Sequence, residues 1–287
     1  MMENLRIPAD GIELAASLYH DENATASDTV VLLNGALGKS RDFYAPMMQF
    51  LAASGIDGVC WDYRGAGDSL NGSVADTQAA VHDWGERDLP VMIDWLRARY
   101  PGRRLVIIAH SIGGQIIGMT PRSNLAAGIV LIGSQSGYWR LWSGWERLRI
   151  GFLWHVVIPF VSRLHDEFPA RWFGFEANLP NAVVCEWARW GRDPEYLMGR
   201  HRRASADNYA GIDRPILNVW IGDDDMAPYA ANRRMLGWYP NARITNLDLR
   251  PADLGVDRIG HFRLFRESVG PKFWPKLLEW LVEKSKV

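Results

Sequence analysis

Leu105-Val106-Ile107-Ile108-Ala109-His110-Ser111-Ile112-Gly113-Gly114 is the stretch whose reading decides the fold. Its first five residues are continuously apolar over strand length. Unbroken rather than alternating apolarity predicts a strand covered on both faces, as in a parallel sheet between helices. The run passes directly into a serine, two glycines and a helical stretch. A serine on such a strand-to-helix turn is a nucleophile elbow, so crowded that the residues two before and two after it must be small. Here they are Ala109 and Gly113. Ala stands where Gly is usual, but the steric requirement is kept. The bland alternative is a serine that caps the helix before Gly113-Gly114; a serine after an apolar run would mean little without this context.

Working outward, the same alternation recurs along the chain. Strands are expected at Ile12 to Tyr19, Thr29 to Asn34, Gly58 to Tyr63, Leu105 to Ala109, Gly128 to Ile132, Ile216 to Ile221 and Ile244 to Leu249. Helices are expected at Phe43 to Ala53, Thr77 to Tyr100, Gly114 to Met119, Tyr229 to Trp238 and Lys272 to Glu283. Pro90 should kink the second helix or start a new one. The strands before Asn34 are joined too tightly for a crossover helix, so the N-terminal edge should be antiparallel.

From Ser134 to about Asp207 the alternation stops, and seven of the 14 tryptophans gather there (Trp139, Trp142, Trp145, Trp154, Trp172, Trp187 and Trp190). It resumes with Pro215-Ile216-Leu217. The chain therefore divides into a core, residues 1–133 and 208–287, and a helical cap inserted at 134–207. The rings could pack a small core of their own or line a pocket under a lid, and the two are compatible.

Composition removes several function classes. Lys and Arg number 32 against 33 Asp and Glu, so no positive field would gather nucleic acid. Met1 to Pro8 lacks the basic and apolar regions of a signal peptide. Ile150 to Val161 is too short to span a bilayer and holds His155 and Pro159. Pro159 should break any helix lying on a membrane surface, so burial of this stretch is expected and stable membrane insertion is not. Cys60 and Cys185 form no metal or redox spacing. A cytoplasmic protein with no metal or cofactor is the expectation, and a homodimer is compatible with the sequence.

A nucleophilic serine needs a base, and the base an orienting carboxylate. Of the seven histidines, His261 lies in a loop after the last strand and before the final helix. That loop should reach the top of the sheet. His110 adjoins Ser111 but should point away from it, and His20, His82, His155, His165 and His201 read as surface or packing groups. The strand ending at Ile221 runs into Gly222-Asp223-Asp224-Asp225-Met226-Ala227-Pro228. Counting three on from Gly222 selects Asp225, counting four back from Pro228 selects Asp224, and Asp224 is favoured. The Ile112 N–H, next to the nucleophile, should bind the oxyanion. The loop Asn34-Gly35-Ala36-Leu37-Gly38 should supply a second donor at Ala36, with Leu37 against the substrate. Asp62 to Ser69 reads as a structural turn that packs Arg64 beneath the site rather than as a phosphate cradle, since it lacks GxGxxG. Arg103-Arg104, Arg202-Arg203 and Arg233-Arg234 read as solvated faces.

Leu33-Asn34-Gly35, Asp62 to Ser69, Ala109 to Gly114 and Gly260-His261 together resemble the α/β-hydrolase superfamily. Gly113-Gly114-Gln115, Asp223-Asp224 with Ala227-Pro228, and Ile259 to Phe262 followed by Phe265-Arg266 are similar to a group of bacterial serine hydrolases with a helical cap. The resemblance implies a mostly parallel eight-stranded sheet flanked by helices, and a triad carried onto Ser111, His261 and Asp224. It departs at Asn34, where many relatives have His, and at Ala109. The expected activity is hydrolysis of a small-molecule carboxylic ester or thioester with a small to medium apolar group, enclosed by Tyr138, Trp139 and Trp142. Peptidase, C–C hydrolase or acyltransferase chemistry on the same triad is the alternative. A ligand-binding protein that lost turnover is the alternative from another class. A haloalkane dehalogenase is disfavoured because its nucleophile is Asp.

Overall fold

The computed structural model describes residues 1–199 and 203–283. One eight-stranded sheet runs through it in the order β1-β2-β4-β3-β5-β6-β7-β8. The strands are β1 (Met2–Ala9), β2 (Ile12–Tyr19), β3 (Thr29–Asn34), β4 (Asp57–Trp61), β5 (Arg104–His110), β6 (Gly128–Ile132), β7 (Pro215–Ile221) and β8 (Arg243–Leu249). β1 and β2 are antiparallel, as is β2 with β4; from β4 to β8 every pairing is parallel. Parallel pairing brings the carboxyl ends of β3, β5, β6 and β7 to one edge, where Asn34 pairs with Ala109 and His110 with Ile132.

The apolar strands are continuous because the sheet has a core on each side. Leu105, Ile107 and Ala109 join one buried cluster, and Val106 and Ile108 the other. β1 was not legible: Met2, Glu3, Asn4 and Arg6 are exposed, Ile7 and Ala9 are buried, and Leu5 packs half-buried against the core.

Pro90 lies in the first turn of a new helical segment, as one of the two expectations for it had it, and Pro159, expected to break its helix, sits in the same setting. The helix expected from Thr77 starts at Val81 and widens at Trp84–Asp88, where the N–H of Leu89 bonds back to Trp84 O, before continuing over Leu89–Arg99. Gly144–Phe152 likewise passes through a wide turn at Leu153–Val157, with Ile158 N–H on Leu153 O, into Ile158–Leu164. In both, proline follows one residue after an i to i−5 bond, and the wide turn accommodates the missing donor.

The helix after Ser111 is a single turn, Ile112–Gln115, followed by a tight 3₁₀ turn at Ile117–Met119. Between β6 and β7 lie the helices Gly144–Phe152, Ile158–Leu164, Asn181–Arg192 and Arg203–Ala210. The expectations for His201 and for Arg202 fall outside the described residues. The other basic pairs are more than solvated faces: Arg103 pairs with Asp57, Arg104 with Asp28, Arg233 with Asp248 and Arg234 with Glu195. Among the described residues no helix is long and apolar enough to cross a membrane.

Candidate active site

Ser111, between β5 and the helix that follows, has φ 55° and ψ −119°, a strained conformation for a residue with a side chain. Its N–H is held by Ile132 O at 3.0 Å. A Cβ on Gly113 would come within 2.4 Å of Asn34 O, which explains why that position must be glycine. Helix and β3 loop are thus pressed together, and Ile112, as first residue of its helix, has no intrahelical acceptor for its N–H.

His261 and Asp224 meet at the same edge. His261 Nδ1 lies 2.6 Å from Asp224 Oδ2, and both side chains are buried. Asp224 Oδ1 accepts from the N–H groups of Met226 and Ala227 at 2.8 and 3.1 Å, so the carboxylate cannot rotate away. Asp223 instead accepts from Ile259 and Gly260 N–H at 2.9 and 3.0 Å, fixing the start of the histidine loop. Asp225 is exposed. The three consecutive acids therefore have three different environments, and Asp224 is the one that reaches the imidazole. His261 Nε2 is buried without a hydrogen-bond partner among the described residues.

His110 points away from the site side of the elbow and links the loops beneath it. Its Nε2 lies 2.9 Å from His261 O and its Nδ1 lies 2.9 Å from Tyr44 Oη. A carbonyl can only accept, so Nε2 carries the proton and Nδ1 accepts from the tyrosine hydroxyl. Burial, and then the neighbouring His261, hold the His110 pKa well below its usual value, so the ring is neutral. Tyr44 Oη in turn accepts from Ala36 N–H at 2.6 Å. Burial pushes the Tyr44 pKa up, keeping its hydroxyl proton in place. The chain Ala36, Tyr44, His110, His261 O ties three loops at the carboxyl edge of the sheet together. Sequence reading missed Tyr44, whose only signal is its place shortly after the β3 loop.

This chain corrects the expectation for Ala36. Its N–H is already donated to Tyr44, whereas the N–H of Leu37 has no hydrogen-bond acceptor among the described residues. Asn34, the departure from the family pattern, keeps the loop in place: its Oδ1 accepts from Trp61 Nε1 at 3.1 Å and its Nδ2 lies 3.5 Å from Gly113 O. Below the loop, Arg64 is buried against Asp88, with Nε to Oδ1 at 2.8 Å, and Asp62 holds Arg41. The Asp62 to Ser69 segment is a structural turn.

Above the edge, a cavity of about 600 Å³ lies within the β6–β7 insertion and against the sheet. Leu37, Gln135 and Met226 are lining residues, and Trp142, Trp154 and Trp187 are among the aromatic ones. Ser111 and His261 are not lining residues; of those that are, Met226 donates its N–H to Asp224 and Leu37 lies in the loop after β3. Of the residues expected to bind substrate, Leu37 and Trp142 are among the lining residues. Tyr138 and Trp139 are not: Trp139 packs against Gly151 and His155, with the Arg140 and Arg147 guanidiniums over its ring. The indole N–H groups tether the insertion. Trp142 donates to Asp225 O at 3.0 Å, Trp154 to Gly137 O at 3.1 Å, and Trp187 to Tyr196 Oη at 2.9 Å, which donates to Gln115 Oε1 at 2.8 Å. Among the described residues no group of three or more His, Cys, Asp or Glu could hold a metal.

With this geometry in view, the family assignment follows. The model of the alpha/beta hydrolase family matches residues 30–266, most of the chain, and the protein belongs to that family. No curated protein matches the sequence. Among solved structures the fold is similar to Est816, described as an N-acyl homoserine lactone degrading enzyme, at 19% identity over 96% of this chain and 99% of that one, with a TM-score of 0.59. It is also similar to a thermophilic esterase from Thermogutta terrifontis, at 18% identity over 99% of this chain and 100% of that one, with a TM-score of 0.61. A proline iminopeptidase from Mycobacterium smegmatis has 14% identity over 99% of both chains and a TM-score of 0.63. At these identities the likeness is one of fold.

Proposed function

We propose that the protein is a serine hydrolase that cleaves a carboxylic ester or thioester through an acyl-enzyme. Ser111 Oγ attacks the carbonyl while His261 Nε2 takes its proton; Asp224 orients the ring and stabilises the imidazolium. The Ile112 N–H and, in place of Ala36, the Leu37 N–H receive the oxyanion. The imidazolium protonates the leaving group, and the same nitrogen then activates the water that releases the acid. Residues 134–207 act as a cap over the acyl or alcohol group.

The observation that supports this reading most is a strained Ser111 at the same sheet edge as a His261 whose Nδ1 is fixed by Asp224 and whose Nε2 has no hydrogen-bond partner among the described residues. The cavity favours an apolar, medium-sized group, because among the described residues Arg149 is the only charged one in its lining and no acid is present there. A peptidase that holds a free amino terminus would need such an acid. The test is a panel of p-nitrophenyl esters and acyl thioesters of increasing chain length. Hydrolysis should rise to an optimum at medium length and disappear in Ser111→Ala at every length. Undiminished turnover by Ser111→Ala would refute the mechanism, and a preference for charged acyl groups would refute the substrate class.

A further inference from the structure

The helical run from Gly144 to Leu164 carries a second apolar face that no part of the chain covers among the described residues. Trp145, Leu148, Phe152, Val156, Phe160 and Leu164 recur at three- or four-residue spacing and are exposed by 74, 61, 59, 45, 61 and 63%. Trp154 and Ile158 on the other side are buried. A four-residue spacing drifts by about 40° per step around an α-helix, so such a stripe should spiral away. The wide turn at Leu153–Val157 takes out part of that drift and keeps the residues on one side. The stripe is about 30 Å long at 1.5 Å per residue. Pro159 was expected to preclude this face, and the wide turn is what preserves it.

Two features indicate what the face meets. First, it runs into the mouth of the cavity. Phe152, Trp172 and Phe173 line the cavity and are also exposed by 59, 70 and 45%, so the apolar surface continues inward without a polar rim at these residues. Second, the helical run bears Arg147, Arg149 and Arg163 against one acid, Glu146, in a chain whose net charge is −1. Arg149 pairs with Glu146, while Arg147 and Arg163 are exposed and have no ion pair among the described residues. An apolar stripe flanked by unpaired arginines fits an anionic lipid surface. A second copy of the chain seated on the stripe would cover the mouth and its arginines would repel their counterparts.

We propose that this cap face docks reversibly on anionic membranes and that the hydrolase draws amphiphilic substrates from the lipid directly into the cavity. The docking claim stands on the exposed face; only the substrate route rests on the hydrolase reading.

Flotation with vesicles of phosphatidylcholine containing phosphatidylglycerol tests it. Leu148→Glu with Phe160→Glu is the informative variant, because both residues are exposed and neither lines the cavity. Wild type and Ser111→Ala should float equally with the anionic vesicles and less with phosphatidylcholine alone. The double variant should lose roughly tenfold or more of this binding, yet hydrolyse a soluble short-chain ester at the wild-type rate, which shows that it is folded. Hydrolysis of an ester embedded in those vesicles should fall in the double variant. Wild type that fails to float, a double variant that floats as well as wild type, or a concentration-dependent dimer abolished by the double substitution would overturn the docking claim. Floating protein whose Ser111 is inert would refute the hydrolase reading and leave the docking claim standing.

Discussion

The carboxyl edge of the sheet and the insertion between β6 and β7 use opposite means to hold their shape. At the edge, nearly every functional group is fixed by a short polar contact to backbone: Asp224 by two N–H groups, Asp223 by two more, the His261 carbonyl by His110, and Ser111 by Ile132. In the insertion, bulky rings pack on each other, Trp154 bonds within the insertion, and Trp142 and, through Tyr196, Trp187 anchor it to the core. Fixed atoms suit a reaction that needs its donors and acceptors within a few tenths of an ångström. Apolar packing tolerates changes of size, so it can adapt to a substrate group without disturbing the chemistry below.

If that division holds, substitutions at the edge should damage turnover far more than substitutions in the cap. The largest effect should come from Asp224→Asn. Its Oδ1 can still accept from Met226 and Ala227, but its amide would face His261 Nδ1 and enforce the wrong tautomer. Steady-state kinetics should show kcat down by about 10³- to 10⁴-fold, with Asp225→Asn near wild type. Comparable losses at both positions would put the acid assignment in doubt. Tyr44→Phe should be next, lowering kcat by about tenfold as His110 and the Ala36 loop lose their shared hydroxyl, with KM changed less. An equal rise in KM would assign Tyr44 to binding instead.

The buried His110 also gives the edge a pH signature. Its pKa is lowered on folding, so below the ordinary value of 6.5 the unfolded chain takes up a proton that the folded protein refuses. This contribution to stability is complete above that pH and is lost as pH falls below it, by up to about 1.4 kcal/mol per unit. Urea midpoints measured from pH 7.5 to 5 should decline less steeply in His110→Gln than in wild type. Parallel curves would remove His110 as the cause. The smallest effect belongs to the cap: Trp187→Phe, which loses the bond to Tyr196, should shift the preferred chain length while changing kcat/KM for the best ester only a few-fold.

The parts of the molecule legible in the sequence were those whose physics is local. Ser111 declared itself because a crowded turn demands small neighbours, and Leu105 to Ala109 because a strand between two cores has no polar face. The choice of Asp224 over its neighbours rested on counting along seven residues; what separates them in space is which backbone N–H groups each accepts. Ala36 was the natural donor until Tyr44, eight residues on, was found holding its N–H. Nothing in the order of residues says which of two adjacent amides a distant hydroxyl will occupy. The same limit hid β1, which contributes one largely exposed face, and the apolar stripe from Trp145 to Leu164. Apolar residues normally imply burial, and the wide turn before Pro159, a backbone detail, keeps Phe160 and Leu164 on the same outward side as Trp145, Leu148 and Phe152.

Intact-mass measurement after treatment with a fluorophosphonate tests the central claim most directly. The wild-type protein should gain one adduct, mapped to Ser111 by peptide analysis; Ser111→Ala should gain none, and Asp224→Asn should react far more slowly. An unmodified wild-type protein, or an adduct that persists in Ser111→Ala, would contradict the account.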